Sequence, residues 1–425
     1  MTNTIVWDKK LVGSITLNQD QQNALEAITG FLIGPETMFV VRGYSGAGKS
    51  TLIAALCSQF NPIQKMAKLI DPNVKHKQLV LSATTNKAAD ALSSITGEIV
   101  KTVHSILQLH LTEDLISRKP HLKKMEYGFK LVDTVLVIDE ASMIDEELMN
   151  MIATSVSRTK IIFIGDPDQL IPEEPADIFN KSISQAVLNT VVRQADGNPI
   201  KKIGEELRKA VHTKNFPSIH IDGKYLIHCS ETDFNRMIET EFVKPNWEYT
   251  TSKVIARTNK IVTTYNSRLW QVCKGRTYFD ANDYVVNNSF VPGGTNMNLK
   301  TDELVKILKS TPDRMFDVEG RSYLVRNQYG QRTVFVPYDY NEKTNVIDYF
   351  REMGKREELR KIQHTWADLR PVYASTVHKA QGSTFDRVFI DLDDLGGCWD
   401  KSQLARLLYV AVTRAREQVI FKGDI

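Results

Sequence analysis

The chain has only four cysteines in 425 residues, Cys57, Cys229, Cys273 and Cys398, and no C-x-x-C pair among them. That scarcity excludes a disulfide scaffold, argues against a zinc site and fits a reducing compartment. No apolar run approaches the roughly 18 residues of a membrane span. Met1–Lys10 lacks the apolar core of a secretory leader, so a cytoplasmic location and no membrane partner are expected. Charge of one sign is lacking too. The net charge is +3, and any surface for a polyanion must come from local clustering. There is no repeat of solenoid period and no low-complexity tail. What remains is a globular composition, 42% hydrophobic and 25% charged, in a chain too long for one core.

Short apolar runs alternate with helical patterns. Met38–Val41 leads into a glycine loop, and Gln78–Leu81 ends at Ser82-Ala83-Thr84. Thr134–Ile138 ends at Asp139-Glu140, and Lys160–Ile164 at Gly165-Asp166. Continuous runs of this kind mark strands buried on both faces of a parallel sheet. Each delivers polar residues at its carboxyl end, where open α/β sheets bind ligands. A second alternation starts near Asn198, with helices expected over Ile200–Val211 and Leu404–Val412. Strands are expected at Val254–Ala256, Val372–Ala374, Val388–Ile390 and Gln418–Phe421. The stretch from Thr277 to Thr365 differs in texture. Tyr278, Tyr284–Val286, Tyr323–Val325 and Thr333–Val336, with Pro292-Gly293-Gly294 and Tyr329-Gly330 as turns, predict a β-rich insertion.

Gly43-Tyr44-Ser45-Gly46-Ala47-Gly48-Lys49-Ser50 fits G-x-x-x-x-G-K-[ST], with a helix expected over Thr51–Phe60. In that pattern backbone amides cradle phosphates, Lys49 reaches the β- and γ-phosphates, and Ser50 ligates magnesium. Asp139 can hold the same ion, and Glu140 can orient an attacking water. Gly165–Leu170 closes the next strand as an Asp-Pro turn, a reading that leaves Gln169 without a role. Arg193, in Arg193-Gln194, and Arg414, in Tyr409–Arg416, are candidate arginine fingers. ATP with Mg2+ is the expected ligand.

Gly43–Ser50, Asp139–Ser142, Gly165–Leu170, Arg193-Gln194, Val377–Thr384 and Tyr409–Arg416, in that order, resemble superfamily 1 DNA helicases. The wording is closest to the RecD-like branch and its Dda-like phage members, and extends from about Leu17 to the C-terminus. The resemblance implies an α/β fold of two RecA-like parallel-sheet lobes with ATP between them and single-stranded DNA across both. Residues 1–106 and 132–197 would form the first lobe, with a small pin-like insertion at 107–131. Residues 198–276 and 366–425 would form the second, with a β-rich SH3-like insertion at 277–365. The basic, aromatic run Arg118–Lys130 sits where the family has its strand-separating pin, and Arg351–Lys361 reads as a solvated helix.

By the same resemblance, Gln21 reads adenine, its other reading being a helix cap. Gln169 links γ-phosphate to DNA, Arg193 and Arg414 reach ATP from opposite lobes, and Gln381-Gly382 couples nucleotide to DNA. With Gly43, Ser45, Gly46, Ala47, Gly48, Lys49, Ser50 and Thr51 these make the expected nucleotide set. Thr84, Asn86, Lys87, Thr102, His104, Thr258, Asn259, Thr376, His378 and Lys379 fall where the family contacts DNA. They are short polar and basic groups suited to phosphate oxygens, and equally to capping helices. Two positions depart from the family wording: Tyr44-Ser45 replaces proline-alanine, and Arg257 precedes Thr258-Asn259 in place of an apolar residue.

The expected activity is ATP-driven 5′ to 3′ movement on single-stranded DNA and unwinding of forked duplex, in replication, recombination or repair. The expected state is a monomer with a replication or single-strand-binding partner, in the host cytoplasm if phage-encoded. An RNA-directed helicase and an ATP-gated clamp that never unwinds stay open as alternatives.

Overall fold

The computed structural model describes residues 16–72, 75–113, 120–124, 129–180, 182–193, 197–293, 297–327 and 329–424. Met1–Lys10, Arg118-Lys119, Met125–Gly128, Gln194 and Gly294, all used above, lie outside them. Packing divides the chain into two compact units. The first runs to His220 and includes Gln381–Ser383 and Cys398–Glu417; the second holds Ile221–Ala380, Thr384–Gly397 and the residues from Gln418.

The first unit is built on β1 (Met38–Gly43), β2 (Gln78–Ala83), β3 (Lys101–Thr102), β6 (Thr134–Asp139), β7 (Lys160–Gly165) and β8 (Gln185–Leu188). Their order across the sheet is β8-β1-β7-β6-β2-β3, and every pairing is parallel. Between β3 and β6, β4 (Leu109–Glu113) and β5 (Pro120–Lys124) pair antiparallel at the place of the expected pin. Successive strand residues point to opposite faces. Val41, Val137, Ile162 and Ile164 therefore join one core, and Val40, Leu136, Ile138 and Phe163 the other. Each such side chain contributes about 1.5–3 kcal/mol on burial. The helices of this unit are α1 (Gln19–Ile33), α2 (Lys49–Ile70), α3 (Asn86–Thr96), α4 (Val103–Ile106), α5 (Glu146–Ser155), α6 (Pro199–Thr213) and α13 (Lys401–Val412). α6 and α13 pack on each other. The helix after the glycine loop runs ten residues past its expected end, through Pro62, because Ile63 and Ala67 are buried.

The second unit contains a sheet in the order β9-β18-β17-β10-β16, from β9 (Leu226–Cys229), β10 (Ser252–Ala256), β16 (Ala374–Thr376), β17 (Phe385–Asp391) and β18 (Ala415–Lys422). β10 pairs in parallel with β16 and β17, and β9 with the Val419–Lys422 part of β18. α7 (Glu231–Phe242) and α8 (Asn259–Lys274) cover it, with Phe234 edge-on to Phe389 at 5.7 Å. The expected β-rich insertion is an antiparallel sheet, β14-β13-β12-β11-β15. Its strands are β11 (Tyr284–Asn287), β12 (Glu303–Met315), β13 (Val318–Asn327), β14 (Gly330–Pro337) and β15 (Leu369–Arg370). The charged run 351–361 spans two helices, α9 (Tyr340–Glu352) and α10 (Arg356–Thr365), broken at Gly354 with φ 66°. Ile362 and Trp366 anchor this pair on Phe335. α11 (Val377–Ala380) and α12 (Leu392–Gly396) complete the unit.

Asn266 on α8 is buried against the strand that leads to Thr376. Its Oδ1 accepts from Tyr373 N at 3.1 Å and Ala374 N at 2.8 Å, and its Nδ2 donates to Ala374 O at 3.1 Å. Asn266→Ala should strip these partners inside the core and destabilise the unit by about 1–3 kcal/mol. Urea denaturation reads this as a lower midpoint; an unshifted midpoint would show that the amide is not a structural tie.

Candidate nucleotide site

β1 ends at Gly43, and α2 starts at Lys49 with Gly48 as its N-cap, in the left-handed region at φ 79° and with no side-chain cap. The first-turn amides of α2 are thus left for an outside acceptor, the usual way a helix start binds an anion. Gly46 is also left-handed, at φ 81°. A Cβ there would stand 2.6 Å from Arg193 Cβ, and one on Gly48 2.3 Å from Gln21 Nε2. Only glycine fits either place. Ala47 is buried, its amide donating to Tyr44 O at 3.0 Å. Lys49 Nζ lies along the loop, donating to Gly43 O at 2.8 Å and Tyr44 O at 3.2 Å. Ser50 and Thr51 sit half-buried in the first turn of α2.

Gln21 is buried beside this loop. It forms a capping box with Asn18 at the start of α1, and its Nε2 donates to Gly48 O at 3.1 Å. Both ends of its amide are engaged with the chain itself.

Asp139 and Glu140 end β6, both buried. Burial, and then the charge of Glu140, raise the Asp139 carboxyl well above the ordinary carboxylate range; Lys49 and the Glu140 amide oppose this. Glu140 has φ 54°, an uncommon conformation for a side chain of its size and one that tends to persist at functional sites. Its Oε2 accepts from Gln381 Nε2 at 3.4 Å. Gly382 is left-handed, at φ 77°. The amide oxygens of Gln169 and Gln381 are buried without a hydrogen-bond partner among the described residues.

Sequence reasoning quoted the motifs of Asp166 and Tyr409 but gave neither residue a role. Asp166, fully buried after β7, accepts on Oδ2 from Ser45 N at 3.0 Å, Tyr409 Oη at 2.7 Å and Gln169 Nε2 at 3.2 Å. The Tyr409 hydroxyl also accepts from Ser45 N at 3.1 Å. Burial, and then the charge of Asp166, raise its proton affinity, so it stays a donor. Arg406 donates to Pro167 O and Gln169 O at 2.6 and 2.5 Å. Asp168 meets His212 Nε2 at 2.7 Å, and Arg208 lies 3.4 Å above the Tyr44 ring. The signal for Asp166 was its place at a strand's carboxyl end. Nothing local marked α6 as the source of Arg208 and His212.

Arg193 and Arg414 meet on Ser45. Arg193 Nη1 donates to Ser45 Oγ at 3.1 Å and Thr413 O at 2.6 Å. Arg414, 1% exposed, donates from Nη2 to Ser45 Oγ at 2.6 Å and Thr413 Oγ1 at 3.2 Å. Its Nε and Nη1 reach Val410 O and Ser383 O at 3.0 and 3.2 Å. Both residues belong to the first compact unit, because α13 packs on α6 there. Burial lowers the proton affinity of both, and for Arg193 the Arg414 charge is the next cause. A guanidinium nevertheless keeps its proton. Two cations against an uncapped helix start, with glycines that admit close approach, fit a polyphosphate. Among the described residues no cluster of three His, Cys, Asp or Glu could hold a metal by itself. The hydroxyl and carboxylate donors of Ser50 and Asp139 suit a hard cation that phosphates complete.

The residues expected at DNA lie at strand ends in each unit. β2 pairs with β3 so that Ala83 faces Thr102, which puts Thr84 and Thr102 at adjacent carboxyl ends. Thr84 Oγ1 donates to Glu140 O at 3.1 Å, Thr85 caps α3 where Asn86 and Lys87 begin, and Thr102 caps α4. Burial lowers the proton affinity of His104. In the second unit Ala256 faces Thr376 across β10 and β16. Thr258 caps α8, ahead of Asn259, and donates to Asp394 Oδ1 at 2.8 Å. Thr376 Oγ1 accepts from Lys379 N, and Lys379 Nζ pairs with Asp302 at 2.7 Å. Burial lowers the proton affinity of His378 as well. Arg257, the unexpected residue, donates from Nε to Asp394 O at 2.9 Å.

A family model described as an AAA domain matches residues 16–229, and one described as a UvrD-like helicase C-terminal domain matches residues 371–421. The ATP-dependent DNA helicase dda of Enterobacteria phage T4 is 25% identical over 469 residues, covering 95% of this chain and 99% of the phage protein. The conjugal transfer protein TraA of Agrobacterium fabrum is 23% identical over 424 residues. That match covers 95% of this chain but 32% of TraA, so the chain spans about a third of that relative's length. A solved structure of two coordinating Pif1 helicases at forked duplex DNA aligns with a TM-score of 0.52 at 14% identity. It covers 97% of this chain and 93% of that one, and the likeness bears on the fold alone.

Tyr409→Phe should remove one donor to the buried Asp166 side chain and cost about 1.5–3 kcal/mol. A lower melting temperature is the expected readout. Wild-type stability in that variant would mean that Ser45 and Gln169 hold Asp166 without the hydroxyl.

Proposed function

Because the chain belongs to the AAA domain family and is a superfamily 1 DNA helicase of the RecD and Dda type, we propose that it hydrolyses ATP to move 5′ to 3′ along single-stranded DNA and part a forked duplex, in replication, recombination or repair. The observation that carries this reading is the meeting of Arg193 and Arg414 on the phosphate loop at Ser45 Oγ. We assign lobe and insertion limits at 107–131, 198 and 277–365 within the same proposal. The chain acts as a monomer in the cytoplasm, alongside a replication or single-strand-binding protein.

In this reading the Gly46–Gly48 amides and Lys49 bind the phosphates, and Gln21 borders the adenine. Ser50 and Asp139 hold Mg2+, which neutralises phosphate charge when bound. Glu140 takes the proton of the attacking water as oxygen bonds to the γ-phosphorus and the bond to ADP breaks. Arg193 and Arg414 stabilise the charge on the transferred phosphoryl group. Gln169, tied to Asp166, and Gln381, tied to Glu140, pass the state of the phosphates to the strand-end residues. Thr84, Asn86, Lys87, Thr102 and His104 in one unit, and Thr258, Asn259, Thr376, His378 and Lys379 in the other, contact the DNA backbone. Such contacts position a strand without reading sequence.

Strand displacement with ATP on 5′-tailed and 3′-tailed duplexes tests the whole reading. Release of the 5′-tailed substrate alone is expected, with Lys49→Ala losing at least about 100-fold in hydrolysis at an unchanged melting temperature. Preference for the 3′ tail removes the polarity, and full turnover in Lys49→Ala removes the site. Glu140→Gln keeps the shape of the side chain but cannot take a proton. It should retain ATP binding and lose about 10²–10⁴-fold in turnover; rapid hydrolysis in single-turnover assays would strip Glu140 of that role.

A further inference from the structure

Ser45 Oγ accepts from both arginines, Arg193 Nη1 at 3.1 Å and Arg414 Nη2 at 2.6 Å. A hydroxyl oxygen has two acceptor positions, and these two bonds use both. The place of that oxygen is set by the loop, because the Ser45 amide is fixed separately on Asp166 Oδ2 and Tyr409 Oη. Each arginine is held at its base by another tie. Val192 N donates to Gly46 O at 2.8 Å, which seats the segment carrying Arg193, and Arg414 Nε donates to Val410 O at 3.0 Å. The guanidinium tips have acceptors of their own as well, Thr413 O at 2.6 Å for Arg193 and Ser383 O and Thr413 Oγ1 at 3.2 Å for Arg414, but among the described residues Ser45 Oγ is the one oxygen that accepts from both.

Two like charges repel, and arginine side chains have many rotamers. Separate acceptors limit each tip by itself; a shared one also ties the two together at one separation. We propose that Ser45 is the positioning residue of the arginine pair, its hydroxyl setting the spacing and aim of Arg193 and Arg414 over the phosphate loop. The inference rests on the ATP-hydrolase reading above. A pair aimed in advance acts on charge that develops during phosphoryl transfer more than on ground-state binding. Its loss should therefore appear in kcat and not in KM.

Full-length wild type, Ser45→Ala and Ser45→Thr are compared for DNA-stimulated ATP hydrolysis over a range of ATP. Ser45→Ala should lower kcat by about tenfold or more with KM changed by less than about threefold. Ser45→Thr, which keeps the hydroxyl, should restore most of the rate. In a double-mutant cycle, Ser45→Ala should add little to the loss caused by Arg414→Lys, since the two changes break one arrangement. If circular dichroism shows Ser45→Ala to be unfolded, Ser45→Cys keeps the size, loses the strong acceptor and carries the same expectations. Wild-type kcat in the variant without the hydroxyl, or full additivity with Arg414→Lys, overturns the assignment. Wild-type protein that hydrolyses no ATP overturns the functional reading itself, and the assignment with it.

Discussion

One buried carboxyl group, that of Asp166, organises the phosphate loop. Its Oδ2 gathers the Ser45 amide, the Tyr409 hydroxyl and the Gln169 amide. These come from the loop after β1, from α13 and from the turn after β7, segments up to 364 residues apart in sequence. A polar group with no exposure is costly unless its hydrogen bonds are made, and here three elements must be in register to make them. The loop that carries Ser45 is therefore held from outside itself. That lets it keep two left-handed glycines and an uncapped helix start without collapsing onto its own amides.

The electrostatics around this node are uneven. Asp139 and Glu140 are crowded, and the proton affinity of Asp139 rises because of burial and its neighbour. On the other side Arg193, half-buried, and Arg414, buried, make hydrogen bonds to Ser45, Thr413, Val410 and Ser383, all neutral oxygens. Glu140 acts on both arginines through space. An arrangement of this kind has not been optimised for the stability of the chain alone, since unpaired buried charge works against it. It is suited to a ligand that brings anionic oxygens to the arginines and a cation to the carboxylates, as a magnesium–nucleotide does.

Much of the first sheet was legible because a strand buried on both faces must be apolar throughout, and Thr134–Ile138 and Lys160–Ile164 are. β12 escaped detection for the opposite reason. It faces solvent on one side, carries Lys306 and Lys309 among its apolar residues, and contains Pro312, which normally argues against a strand. β8 is a four-residue edge strand with too little pattern to detect. In the site, Lys49, Asp139 and Glu140 stood out as candidates because they follow apolar strands with the residue types phosphate chemistry uses, whereas Arg193 and Arg414, the latter after a helix, stood out only through the wording of their motifs. The tie from Tyr409 to Asp166, and that from Thr258 to Asp394, were not, since no local periodicity encodes a partner more than a hundred residues away.

The two readings of the strand-end threonines are compatible. Thr85, Thr102 and Thr258 each cap a helix through the side chain, accepting from Ala88 N, Ser105 N and Ile261 N. A cap satisfies one of the four free amides of a helix start and leaves others. It also fixes the axis along which those remaining amides point. A nucleic-acid backbone could use them while the threonine goes on holding the helix, so a capping role does not remove these positions from a binding surface. Lys379 differs, because its ammonium already pairs with Asp302. For it to serve a DNA phosphate, that ion pair would have to be exchanged for a new one, an exchange between charged partners that costs little when both stay partly hydrated.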